Sequence, residues 1–288
     1  MSVSKNCRPV TRFAPSPTGA LHLGHAYAAL VAYNTSAIKN GSFLLRFEDI
    51  DLRRSKRKFE RAILEDISWL GIKWQGTALR QSERLDVYAR AIDTLNEQGL
   101  LYPCFCTRKD IAREISAAGA APHGPDGLLY PGTCRHLDDL ECKKRIEQGN
   151  GYALRLDMAK ASARTGQLTW MDTERGKIIA NPEQFGDVVL GRKDFATSYH
   201  LSVVIDDHFQ GITLVTRGKD LFAATHVHRL LQALLSLDTP DYFHHKLIIG
   251  QDGKKLSKRD QSLTLRTLQE EGNTPTSIFE LLGVSPAT

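Results

Sequence analysis

The first hundred residues alternate between short apolar strands and amphipathic helices, and this alternation limits the fold more than any other feature of the sequence. Strands are predicted at residues 9–14 and 42–47, and helices at 24–39, 56–70 and 82–98. Strands that alternate with helices are typical of parallel sheets with helical crossovers. The pattern therefore predicts the α/β class, with a doubly wound parallel sheet.

The alternation breaks near Leu101 and returns at residue 185. Between these points lie four of the five cysteines and a stretch rich in Gly, Pro and Ala at 117–132. A segment of different composition inside a regular pattern is typical of an inserted subdomain. We predict the first half of the main domain in 1–100, the insertion in 101–184, the second half in 185–250, and a basic loop with a short C-terminal helix in 251–288.

Charge and hydropathy argue against a secreted or membrane-spanning protein and leave a nucleic-acid partner open. The 288 residues carry a net charge of +5, which permits a nucleic-acid partner without requiring one. The polar N-terminus is not followed by an apolar run, and no stretch reaches the roughly 20 apolar residues of a membrane span. We therefore expect a cytoplasmic protein that acts as a monomer and has no membrane partner. In that reducing compartment its cysteines should be free thiols or metal ligands rather than disulfides.

Two short elements carry most of the chemistry. Residues 16–19 end the first strand in a Pro/Gly loop, and His22, Gly24 and His25 follow where a helix begins. Unsatisfied amides at a helix start attract anions, glycine lets a ligand approach the backbone, and two imidazoles three residues apart share a helical face. The alternative is a pair of surface histidines at a helix start.

The second element is the basic stretch at 252–259, which contains Lys255, Ser257 and Lys258. A flexible lysine suits a phosphate group that moves during a reaction. Taken alone, the stretch could equally be a solvated loop or a nucleic-acid patch. Because a doubly wound sheet gathers its strand ends at one edge, the two elements together predict a phosphate-binding site there.

Together these elements resemble those of class I aminoacyl-tRNA synthetases, and the resemblance implies that the doubly wound sheet is a Rossmann-like, nucleotide-binding domain. Arg-Phe-Ala-Pro-Ser-Pro-Thr-Gly at 12–19 is similar to the signature of the glutamyl and glutaminyl branch, and His-Leu-Gly-His at 22–25 and Lys-Leu-Ser-Lys-Arg at 255–259 are similar to the two signatures of the class. The resemblance extends from residue 11 to about 282, through further stretches at 45–51, 81–84 and 203–207.

The resemblance implies a role for each matching residue. The positions that would hold glutamate are Arg12, Ser16, Glu48, Tyr199 and Arg217, with Glu48 on the α-ammonium group. Those that would bind ATP, with Mg²⁺, are His22, Gly24, His25, Lys255, Ser257 and Lys258, of which His22, His25 and Lys258 would be catalytic. Alternatively, Arg12 and Glu48 pair at strand ends and Tyr199 is a core residue. Lys219 departs from the family pattern, which has an acid there.

The cysteines of the insertion predict one structural zinc ion. Cys104, Cys106 and Cys134 are the candidate thiolate ligands, although free buried thiols are the alternative. On chemistry alone His136 is the better fourth ligand, because a neutral imidazole needs no ionisation. The resemblance instead implies Tyr130, four positions before Cys134. We expect Tyr130 and keep His136 as the alternative; Cys7 and Cys142 are expected to take no part.

The remaining length narrows the resemblance. Twenty-nine of the 288 residues follow Arg259, whereas full glutamyl-tRNA synthetases continue into helical anticodon-binding domains. The chain is therefore most similar to the stand-alone glutamyl-Q tRNA(Asp) synthetases. That family implies a ligase that activates glutamate with ATP without tRNA, releases AMP and pyrophosphate, and esterifies the queuosine base in the anticodon loop of tRNA(Asp). The alternatives are a truncated or discriminating glutamyl-tRNA synthetase module and a non-catalytic RNA-binding relic.

Overall fold

The computed structural model describes residues 8–117, 123–125, 127–193, 197–248 and 264–287. Its strands are β1 (Val10–Phe13), β2 (Ser42–Phe47), β3 (Leu79–Arg80), β4 (Leu101–Cys104), β5 (His123–Gly124), β6 (Gly127–Leu128), β7 (Ala153–Leu156), β8 (Thr169–Asp172), β9 (Gly176–Ile179), β10 (Val189–Gly191), β11 (Leu214–Gly218) and β12 (Asp241–His245). Its helices are α1 (Leu23–Ala37), α2 (Arg57–Trp69), α3 (Leu85–Glu97), α4 (Arg108–Ala117), α5 (Asp139–Glu147), α6 (Met158–Thr165), α7 (Tyr199–Phe209), α8 (Ala224–Leu234), α9 (Leu265–Glu270) and α10 (Pro275–Leu282). None of these helices is long and apolar enough to cross a membrane.

The main sheet is built from parallel strands in two adjoining parts. Strands β1, β2 and β3 pair in parallel, and so do β11, β12 and β8, with β9 antiparallel at the edge. The parts meet where the amide of Thr213 donates to the carbonyl of Val10 at 3.0 Å. Strand order thus reverses around β1, as in an open doubly wound sheet. The predicted α/β class with a parallel sheet is confirmed.

Two apolar clusters pack the helices, the first against β1 and β2 and the second against β7 and β10. The first joins β1 and β2 to α1, α2, α9 and α10, and the second joins α3, α6, α7 and α8. Helix α2 shows how sequence directs this packing, because Ile63, Ile67 and Leu70 follow a helical spacing and are all buried. Helix α10 begins as predicted: the Oγ1 of Thr274 accepts from the amide of Ser277, and Pro275 is the first helical residue.

A separate antiparallel sheet, in the order β10-β7-β4, forms the body of the insertion. Strand β10 lies beyond residue 184 but pairs with β7, whereas β8 and β9 lie before it and belong to the main sheet. The boundary predicted at residues 184 and 185 does not follow these pairings. Composition does not reveal which sheet a strand of three or four residues joins, because its partners are distant in sequence.

Two adjacent aspartates on α7 connect the helix to the rest of the main domain. Asp207 Oδ1 accepts from Arg12 Nε on β1 and from Arg46 Nη1 on β2, both at 2.9 Å. Asp206 accepts from the side chains of Gln81, Arg84 and Tyr88 at 2.7–2.9 Å. Both aspartates are buried. Buried charges are costly unless they are paired, so these bonds fix α7 relative to β1, β2 and α3.

We predict that Asp206→Ala lowers the free energy of unfolding by about 3–5 kcal/mol, because it leaves Arg84, whose side chain is 12% exposed, and the buried Gln81 and Tyr88 without their acid. Urea denaturation followed by circular dichroism measures the change. The control is Asp238→Ala: the Asp238 side chain is 86% exposed beside His208, so its loss should cost less than about 1 kcal/mol. Equal stability of the two variants would contradict a structural role for Asp206.

Candidate active site

His22 and His25 form the start of α1 together. His22 is the N-cap residue: its Nδ1 accepts from the Gly24 amide at 3.1 Å, and the Nδ1 of His25 accepts from the His22 amide at 3.2 Å. The rings stack with their centroids 3.8 Å apart. Because each Nδ1 accepts a hydrogen bond, the proton of each neutral ring lies on Nε2. The structure brings the two imidazoles together as predicted, with His22 capping the helix rather than lying within it.

Gly24 is explained by this cap. A Cβ atom at position 24 would lie 3.0 Å from Cε1 and 3.1 Å from Nδ1 of the His22 ring, which is closer than ordinary van der Waals contact. A larger residue would therefore require the His22 ring to shift by a few tenths of an ångström. The glycine was predicted to allow a nucleotide close to the backbone; the contact seen here is with the histidine.

The predicted ATP-binding residues Lys255, Ser257 and Lys258 lie outside the described residues. The described chain resumes at Thr264, which forms an isolated antiparallel bridge with His22. The next amide, of Leu265, donates to the carbonyl of Leu21 at 2.8 Å. The chain five residues after Arg259 thus lies directly against the histidine element.

Arg12 and Glu48, two predicted glutamate-binding residues, are both at the buried Asp207 network but do not pair with each other. Arg12 donates to Asp207 through Nε and Nη2 and to the Thr216 carbonyl through Nη1. Glu48 Oε1 lies 3.5 Å from Nη2 of the fully buried Arg46. Burial raises the pKa of Glu48, while Arg46 and Arg12 oppose the rise. The guanidinium nitrogens of Arg12 are thus already bound to other groups of the protein.

Arg217, at the end of β11, is held only by neutral groups in the described structure. Its Nε donates to His244 Nε2 at 3.2 Å, its Nη1 to His228 Nδ1 at 3.0 Å, and its Nη2 to Thr225 Oγ1. The side chain is buried, and none of these partners is an acid. Its positive charge is consequently available to an anionic ligand, which would gain a strong charge-assisted bond.

Tyr199 lies among these groups, at the first turn of α7. Burial raises the pKa of its hydroxyl, Arg217 and Arg12 oppose the rise, and Glu48 adds to it. Two cations, Arg217 and Arg12, and two acids, Glu48 and Asp207, therefore act on a single phenol. Ser16 is half-buried in the loop after β1, and the exposed Lys219 begins the short 3-10 turn that follows Arg217.

Sequence reasoning missed the residues that hold Arg217. His244 Nδ1 donates to Asp172 Oδ2 at 2.8 Å, and both side chains are buried. Burial and the nearby Arg217 lower the pKa of His244 to about 4, against the opposing effect of Asp172, so the ring stays neutral and accepts from Arg217 through Nε2. The only signal in the sequence was the crowding of histidines at 226–228 and 244–245, which matches no motif.

The three predicted zinc ligands of the insertion form one cluster. The sulfur atoms of Cys104, Cys106 and Cys134 all lie within 4.8 Å of one another. The Tyr130 hydroxyl lies 3.7 Å from Cys106 Sγ and accepts from the Cys134 amide at 2.8 Å. Three sulfurs and one oxygen at this spacing match the four donors of a tetrahedral zinc site. His136 is exposed, Cys142 lies apart on α5, and Cys7 is outside the described residues.

Comparison with known proteins identifies what the chain is similar to. Residues 9–287 match the family model described as tRNA synthetases class I (E and Q), catalytic domain. A Rhodobacter capsulatus protein named glutamyl-Q tRNA(Asp) synthetase is 48% identical over 96% of this chain and 100% of its own length. An Aquifex aeolicus glutamate–tRNA ligase is 40% identical over 96% of this chain, which spans 57% of that protein.

A solved structure agrees with these matches. The crystal structure of a glutamate tRNA ligase from Elizabethkingia meningosepticum, in complex with its amino acid, superposes with a TM-score of 0.73 at 32% identity. The superposition covers 89% of this chain and 53% of that one. The likeness therefore concerns about half of the larger ligase.

We predict that His22→Ala lowers the free energy of unfolding by about 1 kcal/mol, whereas His22→Asn lowers it by only a few tenths. Asparagine retains a side-chain oxygen that can accept from the Gly24 amide, and alanine has none. Urea denaturation measures both changes, with His208→Ala, on another helix, as the control. If the Asn and Ala variants lose the same stability, His22 does not act as a cap.

Proposed function

Since the chain belongs to the family of class I tRNA synthetase catalytic domains for glutamate and glutamine, we propose that it activates L-glutamate with ATP in the absence of tRNA and then esterifies a queuosine base. The glutamate carboxylate attacks the α-phosphorus of ATP, which gives glutamyl-adenylate and releases pyrophosphate. A hydroxyl of queuosine in the anticodon loop of tRNA(Asp) then attacks the adenylate carbonyl, forming the ester and releasing AMP. The chain is thus an enzyme of the ligase class.

The observation that carries this proposal is the pairing of charges around Tyr199. Arg217 offers a buried cation whose described partners are all neutral, and Glu48 offers a carboxylate in the same region. A zwitterion with a second carboxylate complements this arrangement: its side chain would pair with Arg217 and its ammonium group with Glu48. Arg12, which is bound to Asp207, would mainly hold the site in position.

The ATP side of the proposal rests on His22 and His25. Their Nδ1 atoms are engaged with backbone amides, so their Nε2–H groups are the donors that would stabilise charge on the phosphates during adenylate formation. Lys258, with Lys255 and Ser257, would complete this phosphate site, and Mg²⁺ carried with ATP would neutralise phosphate charge. The Thr264–His22 bridge supports the approach of that basic stretch to the histidines.

The acceptor is inferred from the extent of similarity. The chain covers the whole length of the R. capsulatus glutamyl-Q tRNA(Asp) synthetase but 57% of the A. aeolicus glutamate–tRNA ligase. The chain is 48% identical to the former and 40% identical to the latter, so the former is the better guide to its acceptor. We therefore favour a base in the anticodon loop of tRNA(Asp) over the terminal ribose of tRNA(Glu).

We also propose that Cys104, Cys106, Cys134 and Tyr130 hold one structural zinc ion. The hydrogen bond from the Cys134 amide to the Tyr130 oxygen supports this ligand set, because it favours the ionised phenolate that a metal requires. His136, the alternative fourth ligand, is exposed. The ion would fix the start of the insertion, where β4 ends at Cys104.

The first prediction from this proposal concerns both steps of the reaction. We expect ATP–pyrophosphate exchange with glutamate and without tRNA, and no exchange with aspartate or glutamine. Radiolabelled glutamate should then appear on tRNA(Asp) that contains queuosine, and nuclease digestion should recover it on the anticodon-loop nucleotide.

Controls separate the competing functions. Queuosine-free tRNA(Asp) should accept no label. Label on the terminal adenosine of tRNA(Glu) would indicate a glutamyl-tRNA synthetase module instead. Absence of exchange with all three amino acids would indicate an RNA-binding relic without catalytic activity.

The second prediction concerns the metal. Purified protein should contain about one zinc ion per chain by plasma mass spectrometry, and Cys106→Ala and Tyr130→Phe should lose most of it. His136→Ala serves as the matched control and should retain zinc. Retention by Tyr130→Phe together with loss in His136→Ala would assign the fourth ligand to the histidine.

A further inference from the structure

Three residues on adjacent parallel strands form a chain of hydrogen bonds that ends on Arg217. Asp172 is the last residue of β8, His244 lies on β12, and Arg217 lies opposite His244 on β11. Asp172 Oδ2 is 2.8 Å from His244 Nδ1, and His244 Nε2 is 3.2 Å from Arg217 Nε. All three side chains are buried. The bonds therefore run from β8 across β12 to the cation of the candidate amino-acid site.

The charge of Arg217 fixes the direction of both bonds. An arginine side chain is always protonated and can only donate, so His244 Nε2 is an unprotonated acceptor. An imidazole ring keeps at least one proton, which must then lie on Nδ1 and point at the Asp172 carboxylate. The hydroxyl of Thr225, which accepts from Arg217 Nη2, also lies 3.2 Å from His244 Nε2. The ring is consequently neutral, in agreement with its lowered pKa.

The other carboxylate oxygen of Asp172 is bound by the backbone. Its Oδ1 accepts from the amides of Glu174 and Arg175, both at 3.0 Å, in the turn between β8 and β9. These two donors hold the carboxylate so that Oδ2 faces His244. One oxygen thus closes a turn, and the other keeps the proton of His244 on Nδ1.

We propose that Asp172 is a positioning residue of the glutamate site, which through His244 holds Arg217 in the orientation that receives the side-chain carboxylate of the amino acid. Three of the five N–H groups of Arg217 are bound by neutral side chains of the described structure, which leaves one on each terminal nitrogen. Two such groups suit the two oxygens of a carboxylate. This inference rests on the proposed function and adds a residue that strengthens glutamate binding without touching the substrate.

Asp172→Asn tests the inference, because it keeps the size of the side chain and reverses one bond. The Asn oxygen would stay with the two backbone amides, so the NH2 group would face His244 Nδ1. The proton of His244 would then move to Nε2, opposite the N–H of Arg217, and two facing donors in a buried site are costly. We expect KM for glutamate in pyrophosphate exchange to rise about 10- to 100-fold, with a much smaller change in kcat.

Two further variants separate positioning from a structural role. Asp157→Asn changes another buried aspartate that accepts from a backbone amide, at the start of α6, and should leave KM unchanged. His244→Gln can offer an oxygen to Arg217 whichever residue stands at position 172. Adding Asp172→Asn to His244→Gln should therefore raise KM less than about 3-fold further. An equal effect of Asp172→Asn in both backgrounds would overturn the inference, as would an unchanged KM in the single variant.

Nitrogen-15 NMR of histidine-labelled protein tests the bond chain without an activity assay. We expect His244 to be protonated on Nδ1 in the wild-type protein and on Nε2 in Asp172→Asn, and the spectrum of His244→Gln identifies its signals. Protonation of Nδ1 in both proteins would overturn the inference. Absence of exchange by the wild-type protein would refute the proposed function itself, whereas an active enzyme whose KM is unaffected by Asp172→Asn would refute only the role of Asp172.

Discussion

The buried ion pairs of α7 govern how the active site is assembled. Asp207 lies between Arg12 of β1 and Arg46 of β2. Asp206 accepts hydrogen bonds from the side chains of Gln81 and Arg84, which directly precede α3. Four charged groups in the interior are tolerable only when their geometry is tightly satisfied. Since Tyr199 begins the helix that carries both acids, the same bonds position the candidate amino-acid site. Arg12 is therefore bound to Asp207, whereas Arg217 is a buried cation whose hydrogen-bond partners among the described residues are all neutral.

The fold was predictable where the pattern is local. Helical spacing in α2, the Thr274 cap and Pro275 at the start of α10 each depend on residues within a turn or two of one another. The stretch Val203-Val204-Ile205 does not follow its local preference: β-branched residues favour strands, yet these form α7 because tertiary burial outweighs propensity. The pairing of Arg12 with Asp207 spans 195 positions, so the sequence marked the two residues only as parts of separate matching stretches and did not assign one to the other.

The residues of the candidate site were likewise predictable only in part. Motifs led to His22, His25 and Glu48, because their chemistry and spacing are characteristic; Asp172, His228 and His244 were missed because single buried histidines have no distinguishing pattern. Chemistry alone favoured His136 as the fourth zinc ligand, whereas the resemblance implied Tyr130, and the fold places the Tyr130 hydroxyl 3.7 Å from Cys106 Sγ.

The path of the chain between its two sheets limits how this protein can be rebuilt. The chain enters the antiparallel sheet at β4, leaves it for β8 and β9, returns at β10 and leaves again for α7. The insertion is therefore not a cassette with one entrance and one exit. Excising residues 101–184 would strip the main sheet of its outer hairpin and leave β10 without β7. Exchange of this region between related enzymes must move the hairpin and β10 with it, so the cysteine cluster and the edge of the main sheet have to be exchanged as a single unit.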